Sequence, residues 1–460
     1  MNRRRAIALA VALLSLTPGR IWAGMIAQCA DPAMFSESDI TVIVFPFEDH
    51  TSEESVPDES PVGTELAGLI QVDTLLAISR FGSVAAIRML GSRFECEPQN
   101  VLADLMGRFG DGPRERAVVL VTGRIFRAGA ETYVQTSASF QRFVRDDPGE
   151  ILELPLGDRL LAARLATQSL AFAPRLVSDA DLRLVRERFA RQNVVHERPD
   201  EASPGAPLLA VDGATGDAGL RFPAERPAYY VTDVEGDWIH IRVFNGQQGW
   251  MLAHALLGEQ ALSARLPEMR FVEGVAGYFG FRARPTAEKA ESAIAALRGF
   301  EDSPLSSTTP DAMAVAKQLR GLIQLLAEGQ SPAAYERAAP LFAEAAAADP
   351  ASSAVSNMAA AVALYRDWRQ PGRTIGFEEA VDRFWSSVSA NPHDVMPLAN
   401  CWQMFAVARN PAFRGRFSFA PHFTEAELAR DQHDMEQVRV GGEPVRLEHT
   451  VPVVRWPAAP

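Results

Sequence analysis

Two stretches of the carboxyl-terminal half share one spacing of small, aromatic and proline residues. The first, YERAAPLFAEAAAADP, covers residues 335–350, and the second, FEEAVDRFWSSVSANP, covers residues 377–392. Alanine, phenylalanine four residues later and proline eight residues after that recur at a constant offset of 42 residues. Alanine lets paired helices approach closely, phenylalanine fills the joint between them, and proline ends the helix. The spacing therefore predicts repeated helical hairpins instead of an alanine-rich linker.

This spacing resembles the second helix of a tetratricopeptide repeat. Such repeats have about 34 residues, so the additional residues are predicted to lie in the loop RDWRQPGRTIG at 366–376. The resemblance implies a helical array over residues 265–430 with a surface for peptide or protein partners. A purely structural helical domain is the alternative. The signature positions are Tyr335, Ala338, Phe342, Pro350, Phe377, Ala380, Phe384 and Pro392.

The amino-terminal part alternates strand and helix patterns. A run of β-branched and aromatic residues at 39–49 predicts a strand, and apolar residues at helical spacing follow it. A hairpin is predicted over 118–143, with its turn at Ala128-Gly129-Ala130. Helices are then predicted over 158–176 and 178–193, the second with Ser178 as its N-cap. The predicted order is β-α-β-α-β-β-α.

The sequence of this region resembles the amino-terminal domain of TolB-like and CsgG-like proteins. The segments ITVIVFPFED, AISRFGSVAAI and VLVTGRIFRAGAETYVQTSASF occur here in the order found in that family. The resemblance implies an α/β sandwich over residues 36–195 that acts by binding proteins. An unrelated α/β domain with similar strand chemistry is the alternative.

A compact β segment follows a Pro-containing linker. PAYYVTDVEGDWIHIRVFNGQQGWMLAHALL, at 227–257, alternates apolar and polar residues and contains the hairpin-favouring dipeptide Asn245-Gly246. It resembles bacterial SH3-like domains, which implies a small β-barrel over residues 205–260 that binds cell-wall peptides or proteins. Tyr230, Trp238 and Trp250 are the candidates for its groove. Alternatively, the same aromatic residues pack the core of the barrel.

The amino terminus has the layout of a secretory signal over residues 1–23. Arg3 to Arg5 precede an apolar run at 6–16, and Ile21-Trp22-Ala23 offers a cleavage site. That run is shorter than the ~20 residues of a membrane span, which favours cleavage over an uncleaved anchor. Gln28 before Cys29 argues against lipidation. We therefore expect an exported, periplasmic protein without a transmembrane segment in its mature chain.

The chain has three cysteines, Cys29, Cys96 and Cys401. In an oxidising compartment, two of them could form a disulfide. Cys29 and Cys96 can pair, which would leave Cys401 as a buried thiol; three free thiols are the alternative, and the spacing does not decide between them. None of the spacings is typical of a metal site.

The net charge and the absence of known catalytic motifs restrict the classes of function that fit this sequence. The formal net charge is −13, and no long basic block follows the first five residues, which argues against nucleic acid and anionic membranes as partners. No H-E-x-x-H, G-x-S-x-G or phosphate-binding glycine motif occurs. Cys401, in an apolar helical run, is the sole candidate nucleophile and fits a packing role better. We expect no catalytic residue, metal or cofactor.

These patterns together predict a multidomain α+β protein: the α/β domain, the SH3-like barrel, the helical array and an extended tail at 431–460. The predicted function is a non-catalytic envelope scaffold that binds other envelope proteins. A peptidoglycan-binding protein acting through the SH3-like domain is the alternative. An envelope hydrolase without a recognisable motif is a third.

Overall fold

The computed structural model describes residues 38–51, 84–88, 116–143, 151–165, 169–178, 228–235, 238–243, 248–252, 266–421 and 424–437, with scattered positions at 63–81, 101 and 439–444. The chain divides into two compact units. The sheet unit comprises residues 1–145 and 173–272, and the helical unit comprises residues 146–172 and 273–460. The predicted α+β class is confirmed at this level. The signal segment, Cys29 and Cys96 lie outside the described residues.

Three parallel strands, β1 (Ile40–Val44), β3 (Val84–Arg88) and β4 (Arg116–Ala128), form the centre of the sheet unit. β1 pairs in parallel with β3 on one side and β4 on the other, and all five of its residues are buried. Burial of both faces explains the continuous ITVIV run, since an exposed face would call for polar residues at alternate positions. β4 and β5 form the predicted long hairpin. The first five strands are Ile40–Val44, Glu48–His50, Val84–Arg88, Arg116–Ala128 and Glu131–Phe143.

The helix predicted next to β1 is confirmed where it can be described. Residues between Gly63 and Ile78 that the structure describes are helical, and Leu66, Ala67 and Ile70 among them are buried. The second helix of the predicted order falls at 98–110, where Val101 is the one described residue, and it is helical. The helix predicted over 178–193 lies outside the described residues beyond Ser178.

The helix predicted over 158–176 is wrong, because this segment forms strands. β6 (Ile151–Leu156) and β7 (Arg159–Arg164) pair as an antiparallel hairpin in a sheet of their own. The short strands β8 (Ser169–Ala171) and β9 (Arg175–Val177) follow. Leucine and alanine favour a helix in isolation, but tertiary contacts override that preference here. The β6–β7 hairpin and β8 belong to the helical unit, whereas β5 before them and β9 after them belong to the sheet unit.

Three strands of the predicted SH3-like segment are described. β10 (Ala228–Glu235), β11 (Trp238–Val243) and β12 (Gln248–Leu252) form an antiparallel meander. β10 also pairs with β3, so these strands continue the sheet that contains β1. The described strands of this segment therefore belong to the same unit as the preceding sheet, and the predicted boundaries at residues 205 and 260 lie outside the described residues.

Consecutive helices pack against each other through the helical unit. The helices are α1 (Glu268–Ala283), α2 (Ala287–Glu301), α3 (Pro304–Thr308), α4 (Pro310–Ala327), α5 (Pro332–Ala348), α6 (Ser353–Arg369), α7 (Phe377–Ala390), α8 (Val395–Arg409) and α9 (Glu425–Glu436). Short pairs join β13 (Ile375–Gly376) to β14 (Phe417–Ser418) and β15 (Arg439–Val440) to β16 (Glu443–Pro444). We call α2 to α9 the helical array.

The helix boundaries follow from the local sequence. The side chains of Thr286, Ser331, Ser352 and Asp394 accept hydrogen bonds from main-chain N–H groups in the first turns of α2, α5, α6 and α8. Thr424 and Glu427 form a reciprocal capping box at α9. Among the helices that the structure describes, none has both the length and the apolar character of a membrane span.

Candidate functional site: the helical array and the strand it holds

The signature positions occupy equivalent places in α5 and α7. Proline follows the C-cap residue directly in both cases, after Asp349 and after Asn391. Pro350 and Pro392 themselves are exposed. The six remaining positions, Tyr335, Ala338, Phe342, Phe377, Ala380 and Phe384, are all buried. The spacing read from the sequence therefore marks the packed face and the end of each helix.

Phe342 fills a joint between two helices, as the pattern predicts. A Cβ atom added at Gly321 on α4 would lie 2.7 Å from the Phe342 ring, so the glycine leaves the space that this ring occupies. Ala314, Ala345 and Val355, from three successive helices, form one buried cluster beside it. Small residues thus bring α4, α5 and α6 together.

The aligned positions Tyr335 and Phe377 make equivalent contacts. The Tyr335 ring packs edge-on against Tyr365 of α6 at 4.8 Å, and the Phe377 ring packs edge-on against Phe405 of α8 at 5.0 Å. Each joins the second helix of one pair to the first helix of the next. Burial raises the pKa of Tyr335, so it stays a neutral phenol. The repeat is therefore present in contacts as well as in spacing.

The additional residues between α6 and α7 are fastened by Arg416. Its Nη2 donates to the main-chain oxygens of Trp368 at 2.6 Å and of Gln370 at 3.2 Å. These carbonyls belong to the end of α6, where no further helical turn supplies a donor. The guanidinium also lies over the Trp368 ring, 4.6 Å from its centroid. Beyond it, β13 pairs with β14.

The β6–β7 hairpin, residues 151–164, packs on α6 and α8, each of which is the first helix of a pair in the array. We call this hairpin the arm. β7 contacts α6 and α8, and β6 contacts α6. Five apolar residues on one face of the arm are buried: Leu152, Leu154, Leu156, Leu161 and Ala163. Each fully buried leucine contributes roughly 1.5–3 kcal/mol. The arm is therefore held chiefly by apolar burial.

Two asparagines of the array bind the main chain of the arm. Asn400 Oδ1 accepts from the Ala162 N–H at 2.8 Å, and Asn400 Nδ2 donates to the Ala162 carbonyl oxygen at 2.6 Å. Asn357 Nδ2 donates to the same oxygen at 3.2 Å, and its Oδ1 accepts from Asn400 Nδ2 at 2.9 Å. Both asparagines are 1% exposed. We call this pair the asparagine clamp; it satisfies an edge of β7 that has no further strand beside it among the described strands.

Polar contacts fix the two ends of β7. Arg164 Nη2 lies 3.3 Å from Asp394 Oδ1 at the start of α8. At the other end, Arg159 lies over the Trp402 ring at 5.4 Å, and Asn410 Nδ2 donates to Asp158 Oδ2 at 3.3 Å. The clamp lies between these contacts.

Sequence reasoning missed the arm and the clamp, although a signal for the arm was present. Leu152, Leu154 and Leu156 alternate with other residues and lead into Gly157-Asp158, a dipeptide typical of two-residue hairpin turns. Gly157 has a φ of 64°, which favours glycine. No comparable pattern marks Asn357 or Asn400, which look like isolated polar residues in apolar helices.

The three groove candidates of the SH3-like segment lie on three different strands. The register places Tyr230 opposite Arg242, Trp238 opposite Leu252 and Trp250 opposite His240. Trp250 is half-buried, and its ring lies 4.8 Å from that of His240. Whether these positions form a groove stays a prediction.

The structure also bears on the thiol considered as a nucleophile. Cys401 is fully buried in α8, and desolvation raises its pKa to about 12. A thiol so placed stays protonated at neutral pH and is out of reach of substrate. Among the described residues, no three His, Cys, Asp or Glu side chains are grouped so that they could hold a metal ion.

Comparison with known proteins returns no relative for this chain. No protein-family model matches it, and neither the curated proteins nor the solved structures give a match.

Proposed function

We propose that this chain is an exported, periplasmic scaffold of the bacterial envelope that binds protein partners without catalysis. We assign the helical array to tetratricopeptide-like repeats and the amino-terminal sheet region to the TolB-like type. One observation carries the proposal: Tyr335 and Phe377, aligned in sequence, join successive helix pairs by the same edge-on ring contact. Arrays of stacked helix pairs commonly present extended surfaces for peptides or proteins.

The exposed surface of α7 is the first place to look for a partner. Trp385 is 47% exposed there, whereas Phe377 and Phe384 of the same helix are buried. Tryptophan is enriched at the energetic centres of protein interfaces. Its position on a second helix of the repeat makes it a direct probe of this surface.

Photo-crosslinking in the periplasm tests the scaffold proposal. A photoreactive phenylalanine at Trp385 should capture one reproducible protein partner, and the same group at Glu291, exposed on α2, should not. Trp385→Ala should reduce co-purification of that partner by at least about tenfold, as for a central interface residue. If neither position captures a specific partner in cells that make the protein at its natural level, the scaffold proposal fails.

A second candidate is binding of cell-wall peptides by the SH3-like segment. The observation that favours it is the half-buried Trp250 ring beside His240, since a partly exposed aromatic ring can pack on a ligand. Purified peptidoglycan should then sediment the mature protein. Trp238→Ala or Trp250→Ala should abolish sedimentation without changing the circular dichroism spectrum, whereas Trp385→Ala should leave it intact. Sedimentation that survives both changes would exclude this candidate.

A further inference from the structure

We propose that the face formed by α6 and α8 is a binding site for an extended strand, and that residues 151–164 fill it as an intramolecular ligand. The inference goes beyond the scaffold proposal and does not depend on it. It treats the arm and the array as a ligand and a site that can be separated.

The site recognises its ligand through hydrogen bonds to the main chain. At its centre Asn400 binds both the N–H and the carbonyl oxygen of Ala162, as a neighbouring strand would do. Asn357 adds a second donor to that oxygen. A single extended residue of small size satisfies all three bonds, so the clamp selects conformation instead of side-chain identity.

The array itself holds the polar groups of the site in place. Asn357 and Asn400 hydrogen-bond each other across α6 and α8. Asp394, the partner of Arg164, also accepts from Ser353 Oγ at 3.1 Å and from the Met396 N–H at 3.2 Å. Ser353, Asn357 and Asn400 are each nine-tenths or more buried. Such a site is built before its ligand arrives.

The arm, by contrast, has little order of its own. It is a two-stranded sheet, and isolated two-stranded hairpins are marginally stable in water. The segment that contains the arm, residues 146–172, belongs to the helical unit, whereas the residues before and after it belong to the sheet unit. The array therefore supplies most of the arm's stability.

The chemistry of the site defines what it binds. The ligand is an extended segment with apolar residues at alternate positions and a small residue at the clamp; a cation two residues later adds a weak contact with Asp394. The arm meets these requirements with Leu161, Ala162, Ala163 and Arg164. While the arm is bound, this face of the array is closed to any other strand.

Hydrogen exchange on the wild-type protein is the first test. The amides of residues 151–164 should open together and exchange at least about tenfold faster than those in the buried parts of α4 to α6, as a separable unit would. Asn400→Ala should accelerate the arm amides by about tenfold or more and leave α4 and α5 unchanged. Arm amides that exchange only at the rate of the array would overturn the proposal.

Binding in trans is the second test and uses the full-length chain. Leu154→Asp with Leu161→Asp places charges on the apolar face of the arm and leaves the array sequence intact. A fluorescent peptide of residues 148–167 should bind this variant, and bind wild type at least tenfold more weakly. Adding Asn400→Ala to the variant should weaken binding by at least about tenfold.

A modified peptide separates backbone recognition from nonspecific apolar association. An ester in place of the Leu161–Ala162 amide removes the N–H donor and adds no bulk, so binding should fall about tenfold. Equal binding of ester and amide peptides, or equal binding by wild type and the Leu154→Asp, Leu161→Asp variant, would contradict the proposal. If that variant fails to fold, the exchange test on wild type decides.

Discussion

The β6–β7 and β4–β5 hairpins are each tied to a helix by a buried polar contact, but the contacts differ in chemistry. In the helical unit, the main chain of Ala162 on β7 is bound by the neutral amide of Asn400. In the sheet unit, Thr136 Oγ1 on β5 donates to Glu268 Oε1 at 3.0 Å, and Glu268 is 2% exposed. An amide does not ionise, whereas a carboxyl does. The first contact should therefore be insensitive to pH and the second sensitive.

The largest effect is expected from Asn400→Ala. The change removes three hydrogen bonds and leaves the buried N–H of Ala162 without its acceptor, so the free energy of opening the arm should fall by about 2–4 kcal/mol. Hydrogen exchange of residues 151–164 measures this directly. Protection of β4 and β5 should stay unchanged; a parallel loss there would mean that the change acts globally.

Asn357→Ala should have a smaller effect at the same place. It removes the longer bond to the Ala162 oxygen and the acceptor for Asn400, which predicts a loss of about 1–2 kcal/mol in the same exchange measurement. The double variant should lose less than the sum of the two single changes, because they share one bond. Strict additivity would show that the two asparagines do not act as one clamp.

The carboxyl contact predicts a dependence on pH where β5 meets Glu268. Desolvation raises the pKa of Glu268, and Arg175, whose Nε lies 3.7 Å from Oε2, lowers it only in part. The folded state then holds the proton more tightly than the unfolded state does. The stabilisation is full below the unfolded pKa and is lost as pH rises through the raised folded pKa.

Glu268→Gln tests this reasoning, because an amide keeps the acceptor for Thr136 and cannot ionise. We expect protection of β5 to decline in wild type as pH rises through the raised pKa of Glu268, and to stay level in the variant. Thr136→Val should lower protection by about 1 kcal/mol. A wild-type profile that is flat, or that rises with pH, would contradict the assignment.

The smallest effect is expected from Arg164→Met. The Arg164 side chain is 42% exposed, and ion pairs in such positions contribute about 0–1 kcal/mol. The methionine keeps the apolar stem over the surface. Arm opening should change by less than about 0.5 kcal/mol, and added salt should produce a similar shift in wild type. A larger loss would mean that charge, and not the clamp, positions the strand.

The same two hairpins show what could be predicted from the sequence. β4 and β5 are rich in β-branched and aromatic residues around Gly129, and their hairpin was predicted correctly. The positions of Phe342 and Phe384 were predicted from their spacing alone, because helix packing repeats with the chain. Local pattern was enough in both cases.

The arm shows why the rest could not be predicted. Leu160, Leu161, Ala162 and Ala163 are good helix formers, and they extend here because α6 and α8 lie beside them. Asn357 and Asn400 lie 195 and 238 residues from Ala162 along the chain. No local pattern could connect positions so far apart. The hairpin could have been predicted from its turn residues, whereas its binding site could not.

The loop fastened by Arg416 has a practical consequence for anyone who wishes to label this protein. Gly372, with a φ of 75°, has no atom within 4 Å of the place where a Cβ would lie, and the loop is tied off on both sides by Arg416 and by the β13–β14 pair. A short glycine-flanked peptide tag inserted after Gly372 should therefore leave the stacking of α6 on α7 undisturbed. It would give a fixed optical reference point on the array from which movements of the arm can be followed.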